Sequence, residues 1–361
     1  MTRVSVIIPA YNTEATLART VRTVLAQTHR ELEVFVVDDG STDKTRAIAD
    51  EIAGGDPRLT VLHQPNAGVA AARNLALDRA SGEFVAWLDA DDLWHPAKIE
   101  KQLAVFRSAP PDTSLVYTGY RLVDRDDRVI RNFRTLVDVS GHTLCRQIAT
   151  NFFSNVSSIM VPTELARRLG GHDPRLRQWG IEGAEDLLLQ LQLATAGAVQ
   201  CCREALVGYR MHNSNMSLHY DRAARSNLQV VDLIAAQAPE VPKWVIRLGR
   251  ARTVGYALHM ASQGAFRDAL RLAGRLVNEQ PGYALLTLAL ILHRQARVTL
   301  GRESSPDPCI GMAFADADPA SAPWEGHMVL TRWHERLLAR ADATRLTAAP
   351  ARIHTAGPKP A

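Results

Sequence analysis

Three carboxylates lie within four positions of one another in the segment WLDADDLWHP, residues 87–96. Asp89, Asp91 and Asp92 directly follow an apolar stretch, EFVAWL, that is typical of a buried strand. Like charges repel and resist burial, so a folded chain gathers them where hydrogen-bond donors or a cation compensate them. Carboxylate oxygens bind Mg²⁺ and Mn²⁺ and also accept hydrogen bonds from ribose-type hydroxyl groups. The segment predicts such a site, unless it is only a capped, solvated turn.

A second acidic pair, Glu185 and Asp186, opens the helix-like segment GAEDLLLQLQLA, residues 183–194. A carboxylate held at a reaction centre can take a proton from a hydroxyl group, although exposed helices also carry such pairs as solvated charge. The chain contains no G-x-G-x-x-G after its first apolar stretch, no G-x-x-x-x-G-K-[ST] and no G-x-S-x-G. These absences argue against a dinucleotide-type Rossmann site, a P-loop kinase and a serine hydrolase of the nucleophile-elbow type.

Apolar and helix-like stretches alternate through the first hundred residues, which predicts βαβ units and a mainly parallel sheet flanked by helices. In such a sheet, ligands bind beyond the carboxyl ends of the strands. Three polar segments, Pro9–Asn12, Asp38–Ser41 and Asp89–Asp92, are therefore expected at one rim. The predicted strands are Val4–Pro9, Leu32–Val37, Leu59–Leu62 and Glu83–Leu88, and the predicted helices are Glu14–Gln27, Asp43–Ile52 and Ala67–Ala80.

The later part of the chain changes in character twice. Strands are predicted over Leu115–Val123, Asn155–Val161 and Leu206–Tyr209, with helices over Pro96–Phe106 and Glu182–Ala194. From about Arg222 the pattern is helical only, including a hairpin over Thr253–Leu276 that turns at Gly264. Pro, Ala, Ser and Asp dominate after Arg302, which predicts a largely disordered tail with one short helix at Met328–Arg340. We therefore divide the chain into a catalytic domain (1–220), a helical appendage (221–301) and a tail (302–361).

The composition is that of a soluble globular protein, with 46% hydrophobic and 22% charged residues among 361. A net charge of +4 gives no argument for nucleic acid as a partner. The first apolar run is too short for a signal peptide, and the most apolar stretch, Tyr283–Leu292, is about half of a membrane span. The cysteines form no C-x-x-C pair, which favours reduced thiols and a cytoplasmic location; they are Cys145, Cys201, Cys202 and Cys309.

Five segments in order resemble the motifs of glycosyltransferase family 2, which has the GT-A type of nucleotide-sugar-binding fold. They are VSVIIPAYN, VVDDGSTD, QPNAGVAAARN, LDADD and GAEDLLLQLQLA, and the resemblance covers roughly residues 3–215. It implies metal-dependent, inverting transfer of a hexosyl group from a nucleotide-sugar donor, with a UDP-sugar expected. The acceptor would be a hydroxyl group of a saccharide, a lipid-linked molecule or a protein, in polysaccharide or cell-envelope assembly.

The resemblance also assigns the reacting groups. Asp186 is implied as the base that takes the acceptor proton, with Glu185 as the fallback. Asp89 would lie near the ribose, and Asp91 would bind Mn²⁺ or Mg²⁺. His212, in YRMHNSNMS, would approach the metal or the diphosphate, or be a plain loop histidine; Arg210 is a weaker candidate.

The nucleotide side is assigned in the same way. Asp39 would contact the base, and Arg73 would contact the nucleotide or form a surface salt bridge. The backbone at Pro9, Ala10 and Tyr11, with Glu14, would line the base pocket, although Glu14 also fits an ordinary first-turn helix carboxylate. Asp92 is expected to be a neighbour or a helix cap, Asp38 to bond nearby backbone, and Trp179 to be either an acceptor platform or a core residue.

The region from Arg222 to Arg302 has twelve Lys and Arg against four Asp and Glu. Helical spacing groups Lys243 with Arg247 and Arg250, and Arg267 with Arg271 and Arg275. Such a basic stripe fits peripheral attraction to anionic lipid at the inner face of the cytoplasmic membrane, or to an acidic acceptor, or is merely solvated. Two other functions are open: a catalytically silent nucleotide-sugar-binding scaffold, and a nucleotidyltransferase, which the lack of a basic Gly-rich loop disfavours.

Overall fold

The computed structural model describes residues 2–132, 138–153, 155–181, 183–212, 219–262, 266–279, 281–282, 285, 309–321 and 332–347. Its first four strands pair in parallel in the order β3-β2-β1-β4, as the alternation of strand and helix predicts. These strands are β1 (Val4–Ala10), β2 (Leu32–Asp38), β3 (Leu59–His63) and β4 (Phe84–Trp87). The helices between them are α1 (Leu17–Leu25), α2 (Thr45–Gly55) and α3 (Val69–Leu77).

Five further strands extend the same sheet beyond β4. They are β5 (Leu93–Trp94), β6 (Thr113–Val123), β7 (Val129–Asn132), β8 (Ile159–Pro162) and β9 (Ala198–Arg210). From β4 the order continues as β8-β6-β9-β5 with mixed pairing. β8 runs antiparallel to β4 and β6, β9 runs parallel to β6, and β5 and β7 add short antiparallel edges. The helices of this half are α4 (Lys98–Ser108), α5 (Leu144–Thr150), α6 (Thr163–Arg168), α7 (Arg175–Gln178) and α8 (Glu185–Ala196).

Strand β1 shows why these strands are apolar without alternating in polarity. Side chains alternate between the two faces of a strand, and both faces of this sheet are covered by helices. Ile7 packs on the side of α3 and Trp87, whereas Val6 and Ile8 pack on the side of α1. All seven residues of β1 are buried. The polar segments that follow the strands are thereby held at one rim of a fixed sheet.

Some of the C-terminal helices pack on the sheet domain, and the others pack on these helices. The C-terminal helices are α9 (Tyr220–Gln237), α10 (Lys243–Ala251), α11 (Val254–Ser262), α12 (Phe266–Glu279) and α13 (Arg332–Thr347). Val230 of α9 and Leu338 of α13 belong to the same apolar core as Leu187 of α8. None of the helices in the described ranges is both long and apolar enough to cross a bilayer.

Several details differ from the sequence predictions. Strand β9 is much longer than Leu206–Tyr209, and the start of the predicted strand at Asn155 is a 3₁₀ turn, Val156–Ser158. The predicted turn at Gly264 lies outside the described residues. Within the tail, α13 overlaps the helix predicted at Met328–Arg340. Segment 309–321 falls in the tail that was predicted to be largely disordered, but its Phe314 packs against Leu93, Val123 and Val129 of β5, β6 and β7.

Candidate active site

The loops after β1 and β2 are joined by hydrogen bonds between side chains and backbone. The amide of Thr42 donates to Oδ1 of Asn12 over 2.8 Å, and the amide of Glu14 donates to Oδ2 of Asp43 over 3.1 Å. Oε2 of Glu14 in turn accepts a hydrogen bond of 3.0 Å from the amide of Lys44, where α2 begins. Glu14 is exposed, and its carboxylate lies at the start of a helix. That helix is α2, not α1, which follows Glu14 in the chain.

The end of β1 lies next to the loop that follows β2. Pro9 and Ala10 are buried, and the carbonyl oxygen of Ala10 accepts a hydrogen bond of 2.9 Å from the amide of Asp39. Tyr11 is 48% exposed. The structure therefore places the end of β1 next to Asp39, and Tyr11, the residue that follows β1, is exposed.

Asp39 is buried, and its carboxylate holds the loop between β3 and α3. Oδ1 accepts hydrogen bonds from Nε2 of Gln64 (2.7 Å) and the amide of Ala67 (2.8 Å), and Oδ2 accepts one from the amide of Gly68 (2.9 Å). Gly40 has a φ of +74°, and a Cβ there would lie 2.8 Å from the amide nitrogen of Asn66. The loop and the turn after Asp39 therefore pack tightly enough to require glycine. Asp38 bonds nearby backbone, as predicted.

The three carboxylates after β4 have different surroundings. Asp92 is buried; its Oδ1 accepts from the amide of Arg210 (3.0 Å), and its Oδ2 accepts from Oγ of Ser157 (2.7 Å). Burial, and then the charges of Asp91 and Asp89, raise the pKa of Asp92. The side chains of Asp89 and Asp91 are instead 31% and 28% exposed. Asp92 thus anchors the loop, and Asp89 and Asp91 face the rim.

Arg73 joins two acidic segments that are far apart in the chain. Its Nη2 donates to Oδ1 of Asp89 over 2.6 Å, and its Nη1 donates to Oδ1 of Asp186 over 2.5 Å. The side chain is only 4% exposed, so this is not a surface salt bridge. Burial acts to lower the pKa of Arg73, but the charges of Asp186 and Asp89 outweigh it and raise that pKa. Burial raises the pKa of Asp89 to about 6, despite the charge of Arg73.

Asp186 lies in the first turn of α8 with 27% of its side chain exposed. Burial acts to raise its pKa, but Arg73 and the nearby His172 bring the pKa below its ordinary value. Glu185 is 7% exposed, and burial raises its pKa. Of the two carboxylates, Asp186 is therefore the more accessible and the more fully ionised at neutral pH.

His172 was not among the residues predicted from the sequence; it lies 3.4 Å from Asp186 (Nε2 to Oδ1) and is fully buried. It follows two glycines with positive φ, Gly170 and Gly171. A glycine pair before a polar residue is a turn signal that could have drawn attention to it. Nothing in the sequence, however, connects this turn with α8.

His212 contacts Asp91, the residue that the resemblance implies as the metal ligand. Nε2 of His212 and Oδ2 of Asp91 are 2.8 Å apart, and both side chains are about a third exposed. No cluster of three or more His, Cys, Asp or Glu that could hold a metal ion occurs in the described part of the chain. Mg²⁺ is commonly held by one or two carboxylates together with substrate phosphates. Asp91 with His212 therefore fits a cation shared with a phosphorylated ligand, rather than one held by protein alone.

Arg210 fixes the acidic loop from β9. It is buried, and it donates from Nε to the carbonyl oxygen of Asp91 (2.8 Å) and from Nη1 to that of Asp124 (2.6 Å). Its Nη2 pairs with Asp127. Its role in the structure is to position the loop rather than to face the rim. Trp179, predicted to be either an acceptor platform or a core residue, is partly buried against the core, with the guanidinium of Arg175 5.3 Å from its ring centroid.

Asp92→Ala is expected to lower the free energy of unfolding by about 1–3 kcal/mol, because the Arg210 amide and the Ser157 hydroxyl would lose their buried acceptors. Asp92→Asn is the matched control: it retains an acceptor and removes a buried charge, so it should be clearly more stable than the alanine variant. Urea denaturation of both variants measures the difference. Equal stability of Asp92→Ala and wild type would contradict the anchoring role.

Comparison with known proteins connects this geometry to a family. Residues 5–159 match the family model described as glycosyl transferase family 2. The chain is 33% identical over 224 residues to the putative teichuronic acid biosynthesis glycosyltransferase TuaG of Bacillus subtilis, covering 62% of this chain and 84% of TuaG. It is 29% identical over 230 residues to the chondroitin synthase of Pasteurella multocida, covering 63% of this chain but 23% of that protein.

Solved structures show the same fold. The structure of Staphylococcus aureus TarS 1–349 matches with a TM-score of 0.57 and 20% identity, over 81% of this chain and 86% of that one. The mannosyltransferase PcManGT of Pyrobaculum calidifontis, solved with GDP-Man and Mn²⁺, matches with a TM-score of 0.50 and 24% identity, over 84% and 88% of the two chains. At these identities the likeness concerns the fold, and it agrees with the predicted fold class.

Proposed function

The chain belongs to glycosyltransferase family 2 and has its GT-A type fold, and from this premise we propose that it is a metal-dependent, inverting hexosyltransferase. The observation that carries the proposal is the bridge made by Arg73, which holds Asp89 and Asp186 on one guanidinium. Asp89, which is assigned to the donor, and Asp186, which is assigned to the acceptor, thereby lie on either side of the Arg73 guanidinium. Transfer between two substrates needs such a fixed separation.

Asp186 is the proposed base. Its lowered pKa keeps it ionised at neutral pH, and its exposed fraction leaves it open to an acceptor. As the acceptor oxygen bonds to C1 of the sugar, the bond from C1 to the phosphate oxygen breaks, and Asp186 takes the proton of the attacking hydroxyl group. A single displacement of this kind inverts the anomeric centre, as in inverting glycosidases. The hydroxyl proton becomes more acidic during attack, so a carboxylate is a sufficient base.

Asp91 and His212 are the residues that would hold Mn²⁺ or Mg²⁺. When bound, the cation would supply positive charge that stabilises the departing nucleoside diphosphate. Asp91 is presented at the rim because Arg210 holds its carbonyl oxygen and Asp92 is tied to Ser157. Asp89, oriented by Arg73, is proposed to accept hydrogen bonds from the ribose.

The nucleotide base is proposed to lie over the end of β1, against the backbone of Pro9 and Ala10 and the ring of Tyr11. Asp39 holds the adjoining loop with both oxygens, and Oδ2, with one hydrogen bond described, retains capacity for a base N–H. Glu14 would act there mainly by fixing the start of α2. A contact from Arg73 to the nucleotide stays a prediction. In the structure, the Nη atoms of Arg73 donate to Asp89 and Asp186.

A UDP-sugar is the proposed donor, and a saccharide hydroxyl is the proposed acceptor. TarS has been solved with UDP-GlcNAc and PcManGT with GDP-Man, so both nucleotides belong in a test. Two relatives carry names from polysaccharide chemistry, teichuronic acid biosynthesis and chondroitin synthesis. These names support a saccharide acceptor in envelope polysaccharide assembly over a protein acceptor; a lipid-linked saccharide has the same reacting group.

A thermal-shift and calorimetric screen of sugar nucleotides with Mn²⁺ tests the donor assignment. We expect one nucleotide class to raise the melting temperature in the presence of Mn²⁺ and to do so less after EDTA. Binding that is equal with and without a divalent cation would contradict the metal assignment. A silent scaffold would bind without turnover; the simultaneous presence of Asp39, Asp89, Asp91 and Asp186 disfavours it.

The helical appendage, 221–301, is proposed to hold the enzyme at an anionic membrane surface on the cytoplasmic side. Helix α12 exposes Phe266 (62%) and Leu270 (72%) beside the exposed Arg267 and Arg271. An amphipathic helix with apolar and basic groups on its outer side binds the interface of anionic bilayers. Ion pairs reduce the available charge on both helices: Arg271 of α12 pairs with Asp268, and Arg250 of α10 pairs with Asp232.

Replacing Arg267 and Arg271 by Gln is expected to weaken binding to anionic vesicles by about 30-fold, since each basic side chain near such a surface contributes roughly 1 kcal/mol. Liposome flotation measures the bound fraction. The control replaces Arg46 and Arg125, whose side chains are 61% and 90% exposed outside the appendage. An equal loss in both double variants, or no flotation of wild type, would contradict this surface and favour a merely solvated basic face.

A further inference from the structure

The backbone of His172 makes two hydrogen bonds to the side chain of Asn74, on the helix α3 that also carries Arg73. The amide of His172 donates to Oδ1 of Asn74 over 2.9 Å, and Nδ2 of Asn74 donates to the carbonyl oxygen of His172 over 2.7 Å. Gly171 has a φ of +64°, and a Cβ at that position would lie 2.3 Å from Oδ1 of Asn74. The turn therefore requires glycine in order to bring His172 this close to α3. Asn74 and Arg73 are neighbours in the chain, so one helix positions both groups beside Asp186.

The side chain of His172 is fully buried and is aimed at Asp186. Its ring stands edge-on to Trp87, with 5.1 Å between the centroids and 80° between the planes. Nε2 lies 3.4 Å from Oδ1 of Asp186. Neither ring nitrogen makes a hydrogen bond of ordinary geometry to the residues that the structure describes. A buried imidazole without hydrogen bonds is costly, which points to a role for its N–H group.

His172 is neutral at physiological pH. Burial, and then the charge of Arg73, lower its pKa to about 4, although Asp186 acts in the opposite direction. A neutral imidazole carries one N–H group and one lone pair. The lone pair of Nε2 would face the carboxylate oxygen unfavourably, whereas an N–H there would donate to it. The contact therefore favours the tautomer with the proton on Nε2.

We propose that His172 is a positioning residue for Asp186: it presents Nε2–H to Oδ1, the oxygen that also accepts from Arg73. Both contacts fall on one oxygen, so Oδ2 is left for the acceptor hydroxyl group. This inference rests on the proposed function only for its consequence in catalysis. His172 does not take up the proton that Asp186 receives from the acceptor, because its lowered pKa makes it a weak proton acceptor.

His172→Phe keeps an aromatic ring against Trp87 but removes the N–H group. We expect kcat to fall by roughly 10- to 100-fold, as when a partner that orients a metal ligand is lost, with the KM for the donor unchanged. His172→Gln, which retains an N–H donor, should recover part of the loss. NDP release from the bound sugar nucleotide measures both variants.

The pH profile separates positioning from a general loss of structure. The groups that face Asp186 are Arg73, His172, Asp89 and Glu185. Because His172 lowers the pKa of Asp186, its removal should raise that pKa and move the acid limb of kcat to higher pH. A lower kcat with an unmoved acid limb, or an unchanged kcat, would overturn the proposal.

A spectroscopic test needs no activity and so separates this inference from the proposed function. In wild type labelled with ¹⁵N-histidine, the side-chain resonances of His172, identified by their loss in His172→Phe, should report a neutral ring protonated on Nε2 from about pH 6 to about pH 8. Asp186→Asn should shift the Nε2 resonance. A ring protonated on Nδ1, or a resonance indifferent to Asp186→Asn, would overturn the hydrogen bond whatever the enzyme catalyses.

Discussion

Asp186→Asn is expected to lower kcat by about 10²- to 10⁴-fold, the usual contribution of a general base, while sugar-nucleotide binding stays within about two-fold of wild type. The amide keeps an oxygen that can accept the hydrogen bond from Nη1 of Arg73, so the bridge to Asp89 can persist. What is lost is the ability to take a proton. Steady-state NDP release gives kcat, and calorimetry gives the dissociation constant of the donor.

Glu185→Gln is the matched control for that variant, because it changes the adjacent carboxylate by the same atoms. Glu185 is 7% exposed, and burial raises its pKa, so it is poorly placed to meet an acceptor. We expect a much smaller loss of kcat. If Glu185→Gln were the inactive variant and Asp186→Asn kept its rate, the base would be Glu185.

Asp91→Asn is the second large effect that we expect. Loss of the carboxylate should weaken the Mn²⁺ dependence of donor binding and lower kcat by about 10²-fold or more, because charge stabilisation by a cation contributes several kcal/mol to the transition state. Treatment of wild type with EDTA should also weaken donor binding and lower kcat, and Mn²⁺ or Mg²⁺ should restore both. Titration of Mn²⁺ against activity, with donor binding measured in parallel, gives both quantities.

Asp92→Asn again serves as the control, since it removes a charge one residue away. Asp92 is bonded to the amide of Arg210 and the hydroxyl of Ser157 and does not face the rim. Its variant should keep the wild-type response to Mn²⁺. An Asp91→Asn enzyme whose metal dependence matched that of wild type would remove Asp91 from the cation site.

The rim itself could be predicted from the sequence. Apolar strands covered on both faces, with polar residues directly after them, place Asp39 and Asp89 at one edge of a parallel sheet by a general rule of α/β folds. The sequence also predicted that Asp92 is not a ligand-binding residue like Asp89 and Asp91 but a neighbour or a helix cap. Its partners could not be predicted, because Arg210 comes from β9, which is 118 residues away in the chain.

Contacts across the fold account for most of what the sequence could not give. Arg73 and Asp186 are 113 residues apart in the chain, and the fold places α3 and the first turn of α8 close enough for the two side chains to pair. His172 is one histidine in a polar turn, without periodicity or a partner motif. Segment 309–321 is rich in Ala and Asp, yet Cys309, Phe314 and Ala317 are buried against Leu93 and Val129. Composition cannot reveal such docking, because it depends on an apolar surface made elsewhere.

NDP release by wild type from the sugar nucleotide that stabilises it tests the central claim most directly. The reaction is run with Mn²⁺, with EDTA, and with Asp186→Asn in place of wild type, and NDP is separated and quantified by chromatography. We predict that wild type with Mn²⁺ releases NDP together with free or transferred sugar, and that EDTA and the variant each stop nearly all release. Tight binding of the sugar nucleotide without NDP release, or release that is equal in wild type and Asp186→Asn, would contradict a metal-dependent transferase with Asp186 as its base.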